Sequence, residues 1–167
     1  MASDKSDSSD AFNPEITKRA ADQLSQAMPS ISLPKKLLEL SRDELKDHIR
    51  QFANDTYGDE AKDKQIDAVA HLVHSEYTFV LAGTGFGKTR IAEIYLRLFK
   101  PYQKPVIVVL NPLDALGDNQ VEEKNAIGVG NIKISAINLT KDILTDDVAK
   151  QLVCGDFAFV YVSPEAF

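Results

Sequence analysis

The chain has 167 residues, 44% of them hydrophobic and 26% charged, enough for one domain with a buried core. Its formal net charge is −6, so it is no basic nucleic-acid sponge, and any nucleic-acid contact must be local, made by backbone amides and a few side chains. One cysteine, Cys154, excludes an internal disulfide framework and suits a reducing compartment, and no apolar run nears the ~20 residues of a transmembrane helix.

The start of the chain is rich in Ser and Asp and lacks the basic and apolar regions of a secretory signal. The expectation is a soluble intracellular protein, nuclear or otherwise. Residues 1–10 cannot bury apolar surface and read as disordered, residues 12–28 read as a weak helix, and Pro29 and Pro34 bracket a linker. Residues 1–34 are therefore assigned to disorder and linker. Ser41-Arg42-Asp43-Glu44 is a capping box, with Leu40 and Leu45 at the hydrophobic-staple positions. Leu45, Ile49 and Phe52 then line one face, which predicts an accessory helix over 42–54, inside a unit spanning 35–56 and ending before Gly58.

Ile66, Val69, Ala70 and Val73 follow the i, i+3, i+4, i+7 rule of a second helix, with Gln65 at its start. His71 and His74 lie three apart on it without further ligands nearby, so they read as surface or boundary histidines rather than a zinc site. An apolar run over 77–82 predicts a strand. It leads into Ala82-Gly83-Thr84-Gly85-Phe86-Gly87-Lys88-Thr89, and an apolar-periodic helix carrying Ile91, Ile94, Tyr95 and Leu98 follows, ending near Lys100 before Pro101.

A strand, a glycine-rich turn and a helix in that order make a phosphate cradle. The turn's N–H groups converge on an anion, and the helix N-terminus adds its unpaired donors and its dipole. Lys88 then reaches the β- and γ-phosphates, and the Thr89 hydroxyl ligates Mg²⁺. Residues 82–90, through Arg90, are the candidate nucleotide-binding set, with Lys88 the candidate catalytic residue.

Val106-Ile107-Val108-Val109 is β-branched on both sides, the mark of a parallel strand covered on both faces, and predicts a strand over 105–110. Asn111-Pro112 is a cap followed by Pro at the first helical position, and Gly128 and Gly130 end that helix. A third strand is predicted over 131–138. A short helix capped by Thr145 follows and stops at Gly155, and a fourth strand spans 156–162. Alternating strands and helices predict an α/β fold with a mostly parallel sheet.

Three further stretches carry a resemblance. Gln65 precedes the phosphate turn, residues 110–121 read Leu-Asn-Pro-Leu-Asp-Ala-Leu-Gly-Asp-Asn-Gln-Val, and Tyr161-Val162-Ser163-Pro164-Glu165 closes the fourth strand. With the Ala-x-x-Gly-x-Gly-Lys-Thr turn, they resemble the Gln motif and motifs I, Ia and Ib of superfamily 2 (DEAD/DEAH-type) helicases. The RecQ-like DNA helicases are the most similar group, and the resemblance covers 57–167. It implies a RecA-like three-layer αβα domain, with ATP and Mg²⁺ as cofactors. In it Gln65 reads the adenine edge, for which a carboxamide offers one donor and one acceptor. It also implies single-stranded DNA held by Asn111, Pro112, Leu113, Gln120, Ser163, Pro164 and Glu165.

The sequence departs from the family pattern in places. Ala61, Lys62 and Asp63 stand where members often carry an aromatic residue and Arg-Pro, and Gly117 replaces a bulky residue. The family's Asp-Glu-x-His segment, whose Asp holds Mg²⁺ and whose Glu orients water, is not found among the 167 residues, nor is a second motor domain with its arginine finger. Asp146-Asp147 and Glu122-Glu123 fall in predicted helices and do not replace it.

The expectation is the N-terminal part of a first motor domain, coupling ATP hydrolysis to strand unwinding only with the rest of the motor, downstream or in trans. The alternative is a catalytically inactive piece that binds nucleotide or single-stranded DNA. A small-molecule kinase shares only the phosphate turn.

Overall fold

A computed structural model of the chain describes residues 30–111, 114–126 and 134–163, together with Glu15, Lys18 and Arg19. The expected disorder over 1–10, the weak helix over 12–28 and the glycine stop at 128–130 lie outside the described residues, save for Glu15, Lys18 and Arg19, which are helical. The described elements are α1 (Lys35–Leu38), α2 (Arg42–Tyr57), α3 (Asp63–Val73), α4 (Lys88–Arg97), a 3₁₀ turn (Pro101–Gln103), β1 (Ile107–Leu110), α5 (Asp114–Ala126), β2 (Ala136–Leu139), α6 (Asp146–Val153) and β3 (Phe159–Val162). The architecture is α/β with a helical N-terminal part, in keeping with a RecA-like fold.

The helical part follows from local chemistry. The Ser41 hydroxyl oxygen accepts the Glu44 N–H, and the Glu44 carboxylate accepts the Ser41 O–H at 2.6 Å and the Ser41 N–H at 2.9 Å; the two bonds to the carboxylate hold the carboxyl of Glu44 below its usual range. At the other end Gly58 takes a left-handed cap at φ 73°, so α2 runs three residues past the predicted Asn54. Leu45, Ile49 and Ala53 are fully buried and meet Ile66, Val69 and Val73 of α3. Leu33 and Leu37, at the edge of the expected linker, also enter this core.

The sheet is parallel, in the order β1-β3-β2, with Ile107, Phe159 and Ala136 in one row and Val109, Tyr161 and Asn138 in the next on that face. Phe159 and Tyr161 are buried there against Leu96 and Ala92 of α4 and Val121 of α5. Helix α4 thus serves two cores: Ile91, Ile94 and Leu98 face the helical part, and Leu96 faces the sheet. The strands are shorter than the sequence suggests, each four residues long.

The expected strand over 77–82 does not form. Those residues form no regular element and pair with no strand among the described residues. Tyr77, Phe79 and Leu81 are 106%, 91% and 82% exposed, and only Val80 packs on the helical core. The reason is that an apolar run specifies a strand only where a neighbour supplies the other half of the ladder. Strand β1, expected in the interior, lies at the edge of the sheet among the described residues, and Val108 and Leu110 are exposed on the face opposite Ile107 and Val109.

Gly117 has a tertiary cause. A Cβ there would lie 2.8 Å from Asn138 Nδ2 and closer still to its Cγ, so a larger residue at that position would displace the Asn138 carboxamide. The Asn138 carboxamide fills the space and donates to Asp118 Oδ1 at 2.9 Å. Gly117→Ala is expected to cost about 1–3 kcal/mol through overpacking, and Gly117→Ala/Asn138→Ala to recover most of it, read by urea denaturation.

Candidate functional site

The turn over 82–87 is shaped by two glycines in the left-handed region, Gly85 at φ 77° and Gly87 at φ 86°, and Gly87 is also the residue from which α4 starts. Nothing lies within 4 Å of a Cβ built on Gly83 or Gly85, so there is open space beside both glycines. Helix α4 begins at Lys88 and Thr89 without a side-chain cap. The N–H groups of Lys88 and Thr89, with those of Gly85 and Gly87, have no protein acceptor among the described residues, whereas the Arg90 N–H donates to Gly87 O at 3.1 Å. An anion is what such unspent donors at a helix N-terminus accept.

The Lys88 ammonium lies across the mouth of the turn and donates to Ala82 O and Gly83 O, both at 3.0 Å. It is exposed, as are Thr84 and Thr89. Those carbonyl contacts hold the lysine over the turn, and a phosphate oxygen is a stronger acceptor than either.

Arg90, one position further, turns away from the cradle. Its guanidinium forms a two-pronged pair with Asp59 at 2.7 and 2.8 Å and lies 4.5 Å from the centroid of the Tyr57 ring. The Arg90 bonds hold the Asp59 carboxyl below its usual range.

Gln65 is the third residue of α3, 2% exposed, with its carboxamide directed at the turn. Lys62 sits just before the helix and carries its ammonium 4.8 Å from the centroid of the Phe86 ring. His71 pairs with the Glu76 carboxylate, which Arg42 also holds at 2.8 Å.

Beside the turn lies a cavity of about 240 Å³ lined by Gly87, Thr89, Arg90, Glu93, Glu123 and Lys124. Lys124 of α5 is 5% exposed, pairs with the Glu93 carboxylate of α4, and lies 5.0 Å from the Phe159 ring centroid. Burial pushes its ammonium down to about 8. This pair ties the helix that starts at the phosphate turn to the helix that follows β1. The sequence carried no sign of it, because the two residues are far apart in the chain and each looks like an ordinary helix-surface charge.

At the C-terminal end of the sheet, Asn111 follows β1 and Ser163 follows β3, and the Asn111 N–H donates to Val162 O at 2.8 Å. Both are buried, 6% and 1% exposed, and Asn111 Nδ2 and Ser163 Oγ find no hydrogen-bond partner among the described residues. Gln120 stands in α5, half-buried, and Pro112, Leu113, Pro164 and Glu165 lie outside the described residues. Asp146-Asp147 open α6 and Glu122-Glu123 lie within α5, on helices as the sequence suggests.

Among the described residues no helix is long and apolar enough to cross a membrane. No curated protein matches the chain. The family model described as DEAD/DEAH box helicase matches residues 62–167, a span that holds the turn, Gln65, Asn111 and Ser163, and the chain belongs to that family.

Proposed function

We propose that the chain is the ATP-binding part of an ATP-dependent DNA helicase of the RecQ-like kind, working with the rest of a motor supplied downstream or in trans. The observation that carries this reading is the turn itself. Two left-handed glycines, an uncapped helix start and the Lys88 ammonium converge on one open concavity. Lys88 and the N–H groups of Gly85, Gly87 and Lys88 would hold the phosphates of ATP, and the Thr89 hydroxyl would hold Mg²⁺. Bound Mg·ATP would supply the anhydride bond whose hydrolysis drives the motor.

Single-stranded DNA would lie along the ends of β1 and β3, taking Asn111 Nδ2 and Ser163 Oγ as partners. Two buried polar groups without partners at neighbouring strand ends support this, since orphaned groups of that kind are costly and rare. The RecQ-like assignment draws on the Pro-Leu-x-x-Leu-x-x-x-Gln segment over 112–120 and on the position of Gln65. The remainder of the motor is supported by the exposed Val108 and Leu110 on one face of β1, with Tyr77, Phe79 and Leu81, which leave apolar surface that further packing would cover.

A second reading is a piece that binds nucleotide or single-stranded DNA without turnover. It is favoured by the segment 77–82, which pairs with no strand among the described residues and so leaves the turn without a strand before it. Labelled single-stranded DNA and RNA of equal length, titrated by fluorescence anisotropy, test the strand site. Ser163→Ala is expected to weaken DNA binding about fivefold, the worth of one hydrogen bond of ~1 kcal/mol. Unchanged affinity removes Ser163 from the interface, and equal affinity for RNA removes the DNA preference. DNA-stimulated ATP hydrolysis that Lys88→Ala abolishes would rule out the second reading.

A further inference from the structure

The resemblance makes Gln65 a reader of adenine, but the geometry assigns it other work. Its Oε1 accepts the Lys62 N–H at 2.9 Å, and its Nε2 donates to Phe86 O at 3.2 Å and Gly87 O at 3.0 Å. A carboxamide NH₂ has two protons, and both are committed to the turn. Reading an adenine edge needs one free donor and one free acceptor side by side, and at 2% exposure Gln65 offers neither.

One of these carbonyls is also approached by Lys62, whose Nζ donates to Phe86 O at 3.1 Å. Three donor contacts from the start of α3 therefore grip Phe86 O and Gly87 O. In a trans peptide unit the carbonyl and the following N–H point in opposite directions. Holding Phe86 O and Gly87 O toward α3 turns the N–H groups of Gly87 and Lys88 the other way, toward the concavity. Gly87 is suited to this twice: its φ of 86° needs glycine, and a Cβ there would lie 2.7 Å from Gln65 Nε2, displacing the carboxamide. Ala61, buried at 3%, leaves no aromatic wall at that position against which a base could stack.

We propose that Lys62 and Gln65 are positioning residues that set the phosphate turn from behind, and that the site selects a polyphosphate chain rather than a base. This rests on the reading of residues 82–89 as a phosphate site. Mg·ATP, Mg·GTP and Mg·tripolyphosphate are titrated calorimetrically into the wild-type chain, Gln65→Ala and Lys62→Met. The wild type is expected to bind ATP and GTP within about threefold of each other. Gln65→Ala should weaken ATP and base-free tripolyphosphate by the same factor, about tenfold, the worth of two neutral hydrogen bonds.

Lys62 is exposed, so Lys62→Met keeps the test open should Gln65→Ala not fold. It should weaken all three ligands alike, Lys62→Arg should restore them, and in ligand-free protein the amide NMR signals of Gly87 and Lys88 should shift in Lys62→Met. A clear wild-type preference for ATP over GTP that Gln65→Ala erases, with tripolyphosphate binding unchanged, would overturn the proposal and restore the adenine reader. Wild-type protein that binds none of the three ligands would instead remove the phosphate site beneath it.

Discussion

Lys88→Ala is expected to weaken Mg·ATP binding by about 10- to 100-fold, the worth of one charge-assisted hydrogen bond of ~1.5–3 kcal/mol. The lysine is exposed, and its side-chain hydrogen bonds among the described residues are the two to Ala82 O and Gly83 O at the mouth of the turn. Thermal stability should therefore stay within about 0.5 kcal/mol of the parent, so that lost binding cannot be ascribed to unfolding. Isothermal titration with the two proteins side by side reads the effect. Wild-type affinity in the variant would mean that the ammonium does not meet phosphate, and the nucleotide reading would fall with it. Lys88→Arg is expected to recover only part of the loss, because a planar fork cannot follow a point charge on a flexible stem into the same turn.

The largest stability effect is expected at the pair between α4 and α5. Glu93→Gln leaves the Lys124 ammonium, 5% exposed, without its counter-charge, and removal of one partner from a buried pair costs about 3–5 kcal/mol. Urea denaturation should show that loss with little change in slope. Replacing both residues, as Glu93→Leu/Lys124→Met, should return stability to near the parent, since apolar side chains of similar volume can fill such a site without the desolvation cost. A single variant as stable as the parent would show that Lys124 reaches water, and the tie between the two helices would then carry no energy. If nucleotide and nucleic-acid binding communicate, the double variant should also weaken their coupling while leaving each separate affinity near the parent value, because this pair joins the helix starting at Lys88 to the helix after β1.

Two departures from the family pattern noticed in the sequence acquire physical reasons in the fold. Gly117 is small because the Asn138 carboxamide occupies the space a side chain would need. Lys62 stands where the family pattern has arginine, and its ammonium grips the turn through Phe86 O while lying against the Phe86 ring. Neither neighbour lies close in the chain, so no window of sequence could have shown the pairing.

What the amino-acid order determined by itself is what short-range chemistry decides. The Ser41 and Thr145 caps, the left-handed stop at Gly58, the buried stripe of Leu45 and Ile49, and the turn with Gly85 and Gly87 all depend on residues within one or two turns of each other, and all stand in the fold. Tertiary structure alone decided which apolar runs became paired strands. The segments 77–82 and 105–110 both read as strands, yet among the described residues only the second pairs, over 107–110, because a ladder needs a partner from elsewhere in the chain. The burial of Lys124 on Glu93 and the enclosure of the Gln65 carboxamide by the turn are of the same kind: a side chain's polarity is local, but the water it loses depends on which helices close over it.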